Sequence, residues 1–254
     1  MPKIELKVMS KDCTVRGKLV FIMGGGKFGA NALRYLKDKG AKVLVVDLNP
    51  ECLASSEVNF LADGLSVCGS LEDGQAAFLV GNAVTLLRIV LEKEAPDWVV
   101  TAIPGNAVAK VVSVWLGKRD IKLEPSRTAV PKVLGNIPAS LVSFVDEDSG
   151  VIVASYMHSN MRCRENCMPP KDVCASTGRP KLVSMDRLLA FSVYSHTDVS
   201  KIFCSRQLTG GIGAIEGKEL SIFLKQLETV HKPCTLAIGT ACDCHGILRL
   251  TKVL

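Results

Sequence analysis

The sequence predicts an α/β fold: a doubly wound parallel sheet, followed by a second, smaller α/β domain that carries a cysteine-rich loop. Three observations lead to this prediction. An apolar run at residues 19–23 breaks into a glycine cluster and continues with helical spacing. Strand-like apolar runs then alternate with helix-like segments, which is typical of a parallel sheet. Three cysteines lie within residues 163–174, among prolines and glycines that cannot build a core.

The first strand, turn and helix match the start of a dinucleotide-binding Rossmann unit. Gly24, Gly26 and Gly29 have the G-x-G-x-x-G spacing. In that pattern the first glycine permits a tight turn, the second lets a pyrophosphate approach, and the third lets the helix pack on the strand. The pyrophosphate would bind the amides that open the helix predicted at residues 27–39. Lys27 and Phe28 are therefore further candidate cofactor contacts.

A second strand, predicted at residues 41–48, carries Asp47 near its end. A carboxylate about 20 residues beyond the glycines accepts hydrogen bonds from the ribose hydroxyls. It would also repel a 2′-phosphate, which favours NAD(H) over NADP(H). Asn49 is a further candidate cofactor contact, and Asn49-Pro50 also predicts the start of a helix. The alternative is a scaffold of the same shape whose nucleotide site is empty or different.

The remaining elements of the first domain follow in order. Residues 3–17 predict a strand and turn at the sheet edge, and residues 65–68 predict a third strand. Residues 74–94 are apolar nearly all round and predict one long buried helix. A fourth strand at residues 97–103 should end beside the nicotinamide. The candidate contacts there are Ile103, Pro104, Gly105 and Asn106.

A helix to about residue 117 closes the first predicted domain, residues 1–117, and the second domain covers residues 118–254. In the second domain, strands are predicted at residues 141–145, 150–156 and 235–239. A helix with one apolar face is predicted at residues 218–230. The glycines of residues 210–213 could present amides to an anion, or form a turn against the cysteine loop.

The chain has ten cysteines, which is many for a protein of this size. In a reducing compartment, clustered cysteines are more often metal ligands than disulfides. Three local cysteines with a distant fourth suit an iron–sulfur cluster with four irons. A structural zinc site is the first alternative, and independent free thiols are the second. The candidate ligands are Cys163, Cys167 and Cys174, with Cys242, Cys244 or Cys204 as the fourth.

Basic side chains surround these cysteines: Arg162, Arg164, Lys171, Arg179 and Lys181. They could compensate an anionic thiolate cluster, bind an acidic small-molecule substrate, or form a solvated surface. His245 directly follows Cys244 and is a candidate proton donor.

Residues 20–51 include Gly-Gly-Gly-Lys-Phe-Gly and Val-Val-Asp-Leu-Asn-Pro-Glu. This stretch resembles the NAD-binding Rossmann domains of bacterial potassium-uptake regulators. Those domains bind NAD(H) or related nucleotides and gate a membrane partner. The resemblance therefore implies that the first half of this chain binds NAD(H) or a related nucleotide. It does not extend to residues 118–254.

Composition limits the classes of function. The 254 residues are 48% hydrophobic, which is enough for one large or two modest domains. A net charge of +6 without a basic block, and 5% aromatic residues, do not indicate a nucleic-acid partner. No apolar run is long enough to span a bilayer, and the first ten residues do not form a signal peptide. We expect a soluble cytoplasmic protein, and a homo-oligomer is compatible with this composition.

Together these features predict an NAD(H)-dependent oxidoreductase with a cysteine-ligated metal centre near the substrate site. A hydride carries two electrons and a cluster passes one at a time, so direct exchange is difficult without a flavin, and no separate flavin signature is present. The metal would then shape or polarise the substrate site. The alternative is a redox-sensing, NAD-binding regulatory protein without catalysis, of the potassium-uptake-regulator type.

Overall fold

The computed structural model describes residues 14–157, 161, 163–164, 167–168, 170–230 and 233–254. It is a mixed α/β structure with two sheets. Most of the strand and turn predicted at residues 3–17 lies outside the described residues. Within the described ranges, no helix is long and apolar enough to cross a lipid bilayer.

The elements follow one another along the chain in an order that alternates strands and helices at first and then favours strands. They are β1 (Leu19–Met23), α1 (Lys27–Asp38), β2 (Lys42–Asp47), β3 (Phe60–Leu61), β4 (Ala76–Val80), α2 (Ala83–Lys93), β5 (Trp98–Thr101), α3 (Ala107–Gly117), β6 (Leu123–Pro125), α4 (Ala129–Leu134), β7 (Val142–Asp146), β8 (Val151–Ser155), α5 (Met185–Val193), β9 (Val199–Cys204), β10 (Arg206–Thr209), β11 (Ile212–Glu216), α6 (Gly217–Gln226), β12 (Cys234–Ala241) and β13 (His245–Val253). Short 3-10 helices cover Leu65–Gly69, Ala139–Leu141 and Leu227–Thr229.

The first sheet has seven strands in the order β10-β11-β5-β1-β2-β4-β3. The strands from β5 to β3 run parallel, whereas β11 is antiparallel to β5 and β10 is antiparallel to β11. The sheet is therefore mixed, and the expectation of a purely parallel sheet was wrong. The reason is that a hairpin from the second half of the chain pairs with the edge of β5.

Alternating residues of β1 enter two different buried clusters. Phe21 packs with apolar side chains of α2, α3 and α6, and Ile22 packs with those of α1. This alternation follows from the two-residue period of a strand and places helices on both faces of the sheet. Because both faces of β1 are buried, its residues are apolar throughout and do not alternate with polar residues.

Several sequence-based expectations need correction. Residues 65–68 form a 3-10 helix instead of a strand, and residues following Pro50 form turns instead of a helix. The apolar run at residues 74–94 divides into β4 and α2 instead of forming one helix. Asn82 causes the division, because its side-chain oxygen accepts hydrogen bonds from the N–H groups of Val84 and Thr85 and so begins the helix.

The second sheet has six strands, with β7-β8-β13-β12-β9 in order and β6 paired with β13. Strand β9 is parallel to β12, and the other neighbours are antiparallel. One face packs on α4 and α5. The other face shares a buried cluster with the first sheet, in which Trp115 of α3 and Leu236 of β12 both take part. The two sheets are therefore joined by a common core.

The chain crosses from the second sheet to the first at a single residue. Cys204 ends β9, Arg206 begins β10, and Ser205 is the only residue between them. Consequently the first sheet contains strands from both predicted domains, whose boundary at residues 117 and 118 stays a prediction. The crossing brings the second half of the chain to the carboxyl end of β5.

Candidate functional site

The glycine turn after β1 is fixed by close backbone packing. Gly24 has a φ of 95°, and its N–H donates to the carbonyl of Val46 across 2.8 Å. A side chain at Gly29 would collide with the carbonyl oxygen of Gly24, so α1 can begin here only with glycine at that position. Gly26 differs: it precedes α1, is exposed, and a methyl group there would meet nothing within 4 Å. Open space therefore lies in front of the first amides of α1.

Asp47 closes this turn from the end of β2. One carboxylate oxygen accepts a hydrogen bond from the N–H of Gly25 at 2.6 Å, and the other accepts one from the N–H of Asn49 at 2.8 Å. The Asn49 side chain in turn accepts a hydrogen bond from the N–H of Glu51 at 3.0 Å. The acid and the glycine turn thus form one connected unit at the carboxyl end of β1 and β2.

A cavity of about 400 Å³ opens at the carboxyl end of β5. Two of the predicted contacts, Ile103 and Pro104, line it, together with Thr101 and with Phe28 from the first turn of α1. Phe28 is 64% exposed, so a large apolar ring stands at the cavity mouth. Lys27 begins α1 and is exposed.

The remaining predicted contacts after β5 serve the fold. Gly105 has a φ of 77° and turns the chain into α3. The Asn106 side chain is buried, and its oxygen accepts the N–H of Ala109 at 2.9 Å. Its amide nitrogen donates to the carbonyl of Ile238 in β12 at 2.8 Å. Asn106 therefore caps α3 and ties it to the second sheet, and it does not line the cavity.

The opposite wall of the cavity comes from the β9–β10 crossing and the β10–β11 hairpin. Ser205, Gly211 and Gly213 line it. Ser205 is held by its N–H, which donates to the carbonyl of Ala241 at 2.7 Å. Ser205 was not predicted as a ligand contact, whereas the glycines of residues 210–213 were predicted either to present amides to an anion or to form a turn against the cysteine loop. They form the hairpin turn and do not lead into a helix.

The loop cysteines and the β12–β13 turn approach one another. The thiols of Cys163 and Cys167 are within hydrogen-bonding contact, and the pKa of Cys163 is raised by partial burial and by the neighbouring sulfurs of Cys167 and Cys174. Cys174 is buried. Burial opposes its ionisation, but hydrogen bonds from the Thr177 side chain and the local backbone, with the charge of Lys181, lower the pKa of Cys174 overall.

In the β12–β13 turn, Cys242, Cys244 and His245 form a polar cluster. The Cys242 sulfur accepts a hydrogen bond from the N–H of Cys244 at 3.4 Å and lies 3.7 Å from Nδ1 of His245. The thiol of Cys244 also donates to it, and this hydrogen bond, helped by His245, lowers the pKa of Cys242 to about 3. For the same reason, reinforced by burial, the pKa of Cys244 is raised. The hydrogen bond to Cys242 raises the pKa of His245.

Lys181 is the basic residue that reaches these sulfurs. It is 8% exposed, and its Nζ donates to the sulfur of Cys244 at 3.5 Å. A buried ammonium group is costly unless an anion accompanies it. By contrast, Arg179 donates to the carbonyl of Ser140 at 2.6 Å, and Arg162 lies outside the described residues. Lys181 therefore favours a negatively charged sulfur cluster.

The candidate ligands nevertheless do not form one metal-binding group among the described residues. In the part of the chain that the structure describes, no three or more His, Cys, Asp or Glu side chains are placed to hold a metal ion. The metal role of Cys163, Cys167, Cys174, Cys242 and Cys244 stays a prediction. Cys204, at the end of β9, is exposed at the edge of this group, and partial burial with the charge of Asp186 raises the pKa of Cys204.

The cysteine loop is attached to the wall of the cavity. The carbonyl oxygen of Cys167 accepts a hydrogen bond from Nε2 of Gln207 at 2.5 Å and from the N–H of Gly211 at 3.3 Å. Gln207 belongs to β10, and Gly211 lines the cavity. The β10–β11 hairpin thus links Cys167 to the wall of the cavity at the carboxyl end of β5.

Comparison with known proteins shows matches to both halves of the chain. The family model AF_1314_N, described as the N-terminal domain of an uncharacterized protein, matches residues 19–105. The model AF_1314_C, described as the C-terminal domain, matches residues 97–254. An uncharacterized protein from Archaeoglobus fulgidus is 32% identical over 231 residues, which is 91% of this chain and 98% of that relative.

These matches overturn the assignment of residues 20–51 to the potassium-uptake regulators. Both halves match the two domains of one protein, and the relative aligns across nearly its whole length. The resemblance was carried by a short strand, glycine turn and acid. A motif of this kind indicates a type of turn, and it cannot by itself identify a protein family.

Proposed function

The chain belongs to the AF_1314 family, and from that premise we propose that it binds NAD(H) at the glycine turn and is an NAD(H)-dependent oxidoreductase. The observation that carries the proposal is the cavity of about 400 Å³, which begins at Phe28 beside the glycine turn and ends at Ser205. It offers a site next to the turn that is large enough for a ring and a small second molecule.

The glycine turn suits a pyrophosphate. The space in front of Gly26 is open, and the N–H groups of the first turn of a helix point toward its N-terminus. These amides and the helix dipole favour a bound anion. The strand order β4-β2-β1-β5 supports the same proposal, because ligands of open α/β sheets bind where the order of strands reverses, which here is between β1 and β5.

Asp47 suits the ribose. Its carboxylate is held in place by the N–H groups of Gly25 and Asn49, and a carboxylate has further lone pairs that can accept from hydroxyl groups. A 2′-phosphate at this position would meet a negative charge. NAD(H) is therefore the proposed cofactor in preference to NADP(H).

The cavity suits the nicotinamide and a substrate. Ile103 and Pro104 would contact one side of the ring, and Phe28 would cover the opening. The bound dinucleotide would supply the hydride. The residues of this chain would orient the ring and exclude water from it, which apolar side chains at a cavity mouth can do.

The cysteine cluster is proposed to hold a metal centre, either iron–sulfur or zinc. Its donors are thiols, which both kinds of centre use. Cys163, Cys167 and Cys174 would be ligands, with Cys242 or Cys244 as the fourth. Because no three described donors are placed to hold a metal ion, the loop cysteines and the cysteines of the β12–β13 turn would have to move toward a common point.

A redox-sensing NAD-binding protein without catalysis is the second candidate. Two observations favour it: the described lining of the cavity contains no charged side chain, and the cysteine loop is bonded to the cavity wall through Cys167. A sensor should bind NADH with an affinity that changes when the thiols are oxidised. An oxidoreductase should in addition turn NADH over with a carbonyl substrate.

The nucleotide site is tested by calorimetric titration of the purified protein with NADH. Gly26→Ala adds a methyl group where nothing lies within 4 Å, so the fold should be kept while the approach of a pyrophosphate is blocked. Gly117→Ala is the matched control, because a methyl group there also meets nothing and the residue ends α3. We expect a tenfold or greater loss of affinity in Gly26→Ala alone. Equal affinities in all three proteins would refute the glycine-turn site.

A further inference from the structure

Ser205 is the residue through which the second half of the chain reaches the cavity. It lies between β9 of the second sheet and β10 of the first, and its N–H is fixed by the carbonyl of Ala241. Its side-chain oxygen occupies the space beside Gly213, because a Cβ atom at Gly213 would lie only 2.3 Å from it. The backbone of Ser205 is therefore fixed at the cavity wall.

The cavity is neutral but has two hydroxyl groups without partners. The lining side chains are apolar or glycine except for Thr101 and Ser205. Within the described ranges, neither hydroxyl makes a hydrogen bond to the protein. Thr101 ends β5, and Ser205 lines the same cavity from the second half of the chain. Both hydroxyls are therefore available to hydrogen-bond a ligand that enters the cavity.

We propose that Ser205, with Thr101, makes this cavity specific for an uncharged ring that carries a carbonyl or carboxamide group. This inference rests on the proposed NAD(H) function: the ring would be the uncharged dihydronicotinamide of NADH, and the hydroxyl of Ser205 would bind its carboxamide. A hydroxyl can both donate to the carboxamide oxygen and accept from its amide nitrogen. Ser205 is thus a specificity-determining residue contributed by the second half of the chain.

The same lining disfavours an acidic substrate inside this cavity. A carboxylate that leaves water requires a cation or several hydrogen-bond donors. Arg and Lys side chains are absent from the described lining, and Lys181 contacts Cys244 instead. The substrate class that fits beside the ring is therefore a neutral carbonyl compound or alcohol.

The experiment compares two ligands that share the adenosine diphosphate ribose part. NADH carries the nicotinamide and ADP-ribose does not, so their difference in affinity reports the ring site alone. Both are titrated calorimetrically into the wild type, Ser205→Ala, Ser205→Thr and the control Ser200→Ala, which changes an exposed serine of the same strand β9. We expect Ser205→Ala to bind NADH about five- to tenfold more weakly, as for one lost hydrogen bond, and ADP-ribose as the wild type does. Ser205→Thr keeps the hydroxyl and should restore most of the affinity.

Other results would overturn the inference. An equal loss for both ligands would mean that Ser205 supports the fold, and an unchanged affinity for NADH would mean that its hydroxyl does not touch the ring. Wild-type protein that binds NADH no better than ADP-ribose would remove the ring from this cavity while leaving the glycine-turn site intact. If neither ligand binds to the wild type, the proposed function fails, and the role of Ser205 fails with it.

Discussion

The backbone N–H of Gly25 donates a hydrogen bond to the carboxylate of Asp47 across 2.6 Å. This bond joins the turn after β1 to the end of β2, so the two features that indicate a dinucleotide site are mechanically connected. A substitution at either residue should therefore shift the position of the other. It also means that Asp47 is oriented before any ligand arrives, which lowers the entropy cost of binding.

Replacing Asp47 should change the choice of cofactor. We expect Asp47→Asn to weaken NADH binding by about tenfold, because a charge-assisted hydrogen bond is worth about 1.5–3 kcal/mol. The affinity for NADPH should fall less or rise, because the repulsion of the 2′-phosphate is removed. Calorimetric titration with both cofactors measures this. Asp38→Asn, at the far end of α1 in a surface pair with Lys39, is the control and should behave as the wild type. The same NADH affinity in both variants would exclude Asp47 as the ribose acceptor.

The glycine turn packs against a buried thiol. A methyl group at Gly25 would overlap the sulfur of Cys52, which is buried behind the turn. Gly25→Ala should therefore lower the free energy of unfolding by about 1–3 kcal/mol, as overpacking does. In the double variant Gly25→Ala, Cys52→Ala, the sulfur is gone and part of that loss should return. Urea denaturation of both single variants and the double variant measures the interaction. Additive losses would show that the two sites do not touch.

The β12–β13 turn should hold one thiolate far into the acid range. The pKa of Cys242 is lowered to about 3, so reduced, metal-free protein should keep thiolate absorbance near 240 nm at pH 5. Cys242→Ser should remove that absorbance. Cys68→Ser is the control, because burial raises the pKa of Cys68 and its thiol is protonated at this pH. Absence of thiolate absorbance in the wild type at pH 5 would contradict the arrangement.

The same turn predicts how stability depends on pH. Between about pH 3 and the ordinary thiol pKa near 8.5, the unfolded chain binds the proton that folded Cys242 has lost. The stabilisation by this thiolate is therefore complete above that range and is lost as the pH falls through 3. The pKa of Cys244 is raised, so the protonated Cys244 thiol stabilises the folded state below the ordinary thiol pKa. This stabilisation is lost as the pH rises above that value. Urea midpoints should rise from pH 5 to pH 8 more steeply in the wild type than in Cys242→Ser, and parallel slopes would contradict this.

Metal analysis of protein purified without oxygen tests the cysteine cluster. Iron with sulfide and a brown colour would identify an iron–sulfur centre, and colourless zinc would identify a structural site. In either case Cys167→Ser should lose most of the metal. Cys234→Ser, which changes a buried cysteine at the start of β12, should retain it. Full retention of metal in Cys167→Ser would exclude the loop as a metal site.

Local signals in the sequence predicted the first part of the fold well. Strands β1 and β2 and helix α1 follow from apolar runs, glycines and helical spacing within a few residues. The boundary between β4 and α2 was missed because both are apolar, and the periodicity of a fully buried strand resembles that of a buried helix. The signal that could have found it was present in Gly81 and Asn82, a turn residue followed by a helix cap.

The residues that line the cavity could be predicted only in part from the sequence. Ile103 and Pro104 could be placed beside the cavity because they follow an obvious strand. Ser205 could not, because its position depends on β9 pairing with β12 in one sheet and β10 pairing with β11 in the other. The approach of Cys174 and Lys181 to the β12–β13 turn also depends on tertiary folding. Nothing in the local sequence specifies such contacts between distant segments.

The pairing of β11 with β5 has a consequence for synthesis of the protein on the ribosome. When the chain has emerged only to residue 117, the glycine turn and β5 are present, but the outer edge of β5 is bare. A bare edge strand is a template for pairing with other chains. That edge is covered only after residue 216 has emerged, and the same hairpin brings the second wall of the cavity. The edge of β5 is therefore covered, and the cavity gains its second wall, in the same late step of synthesis.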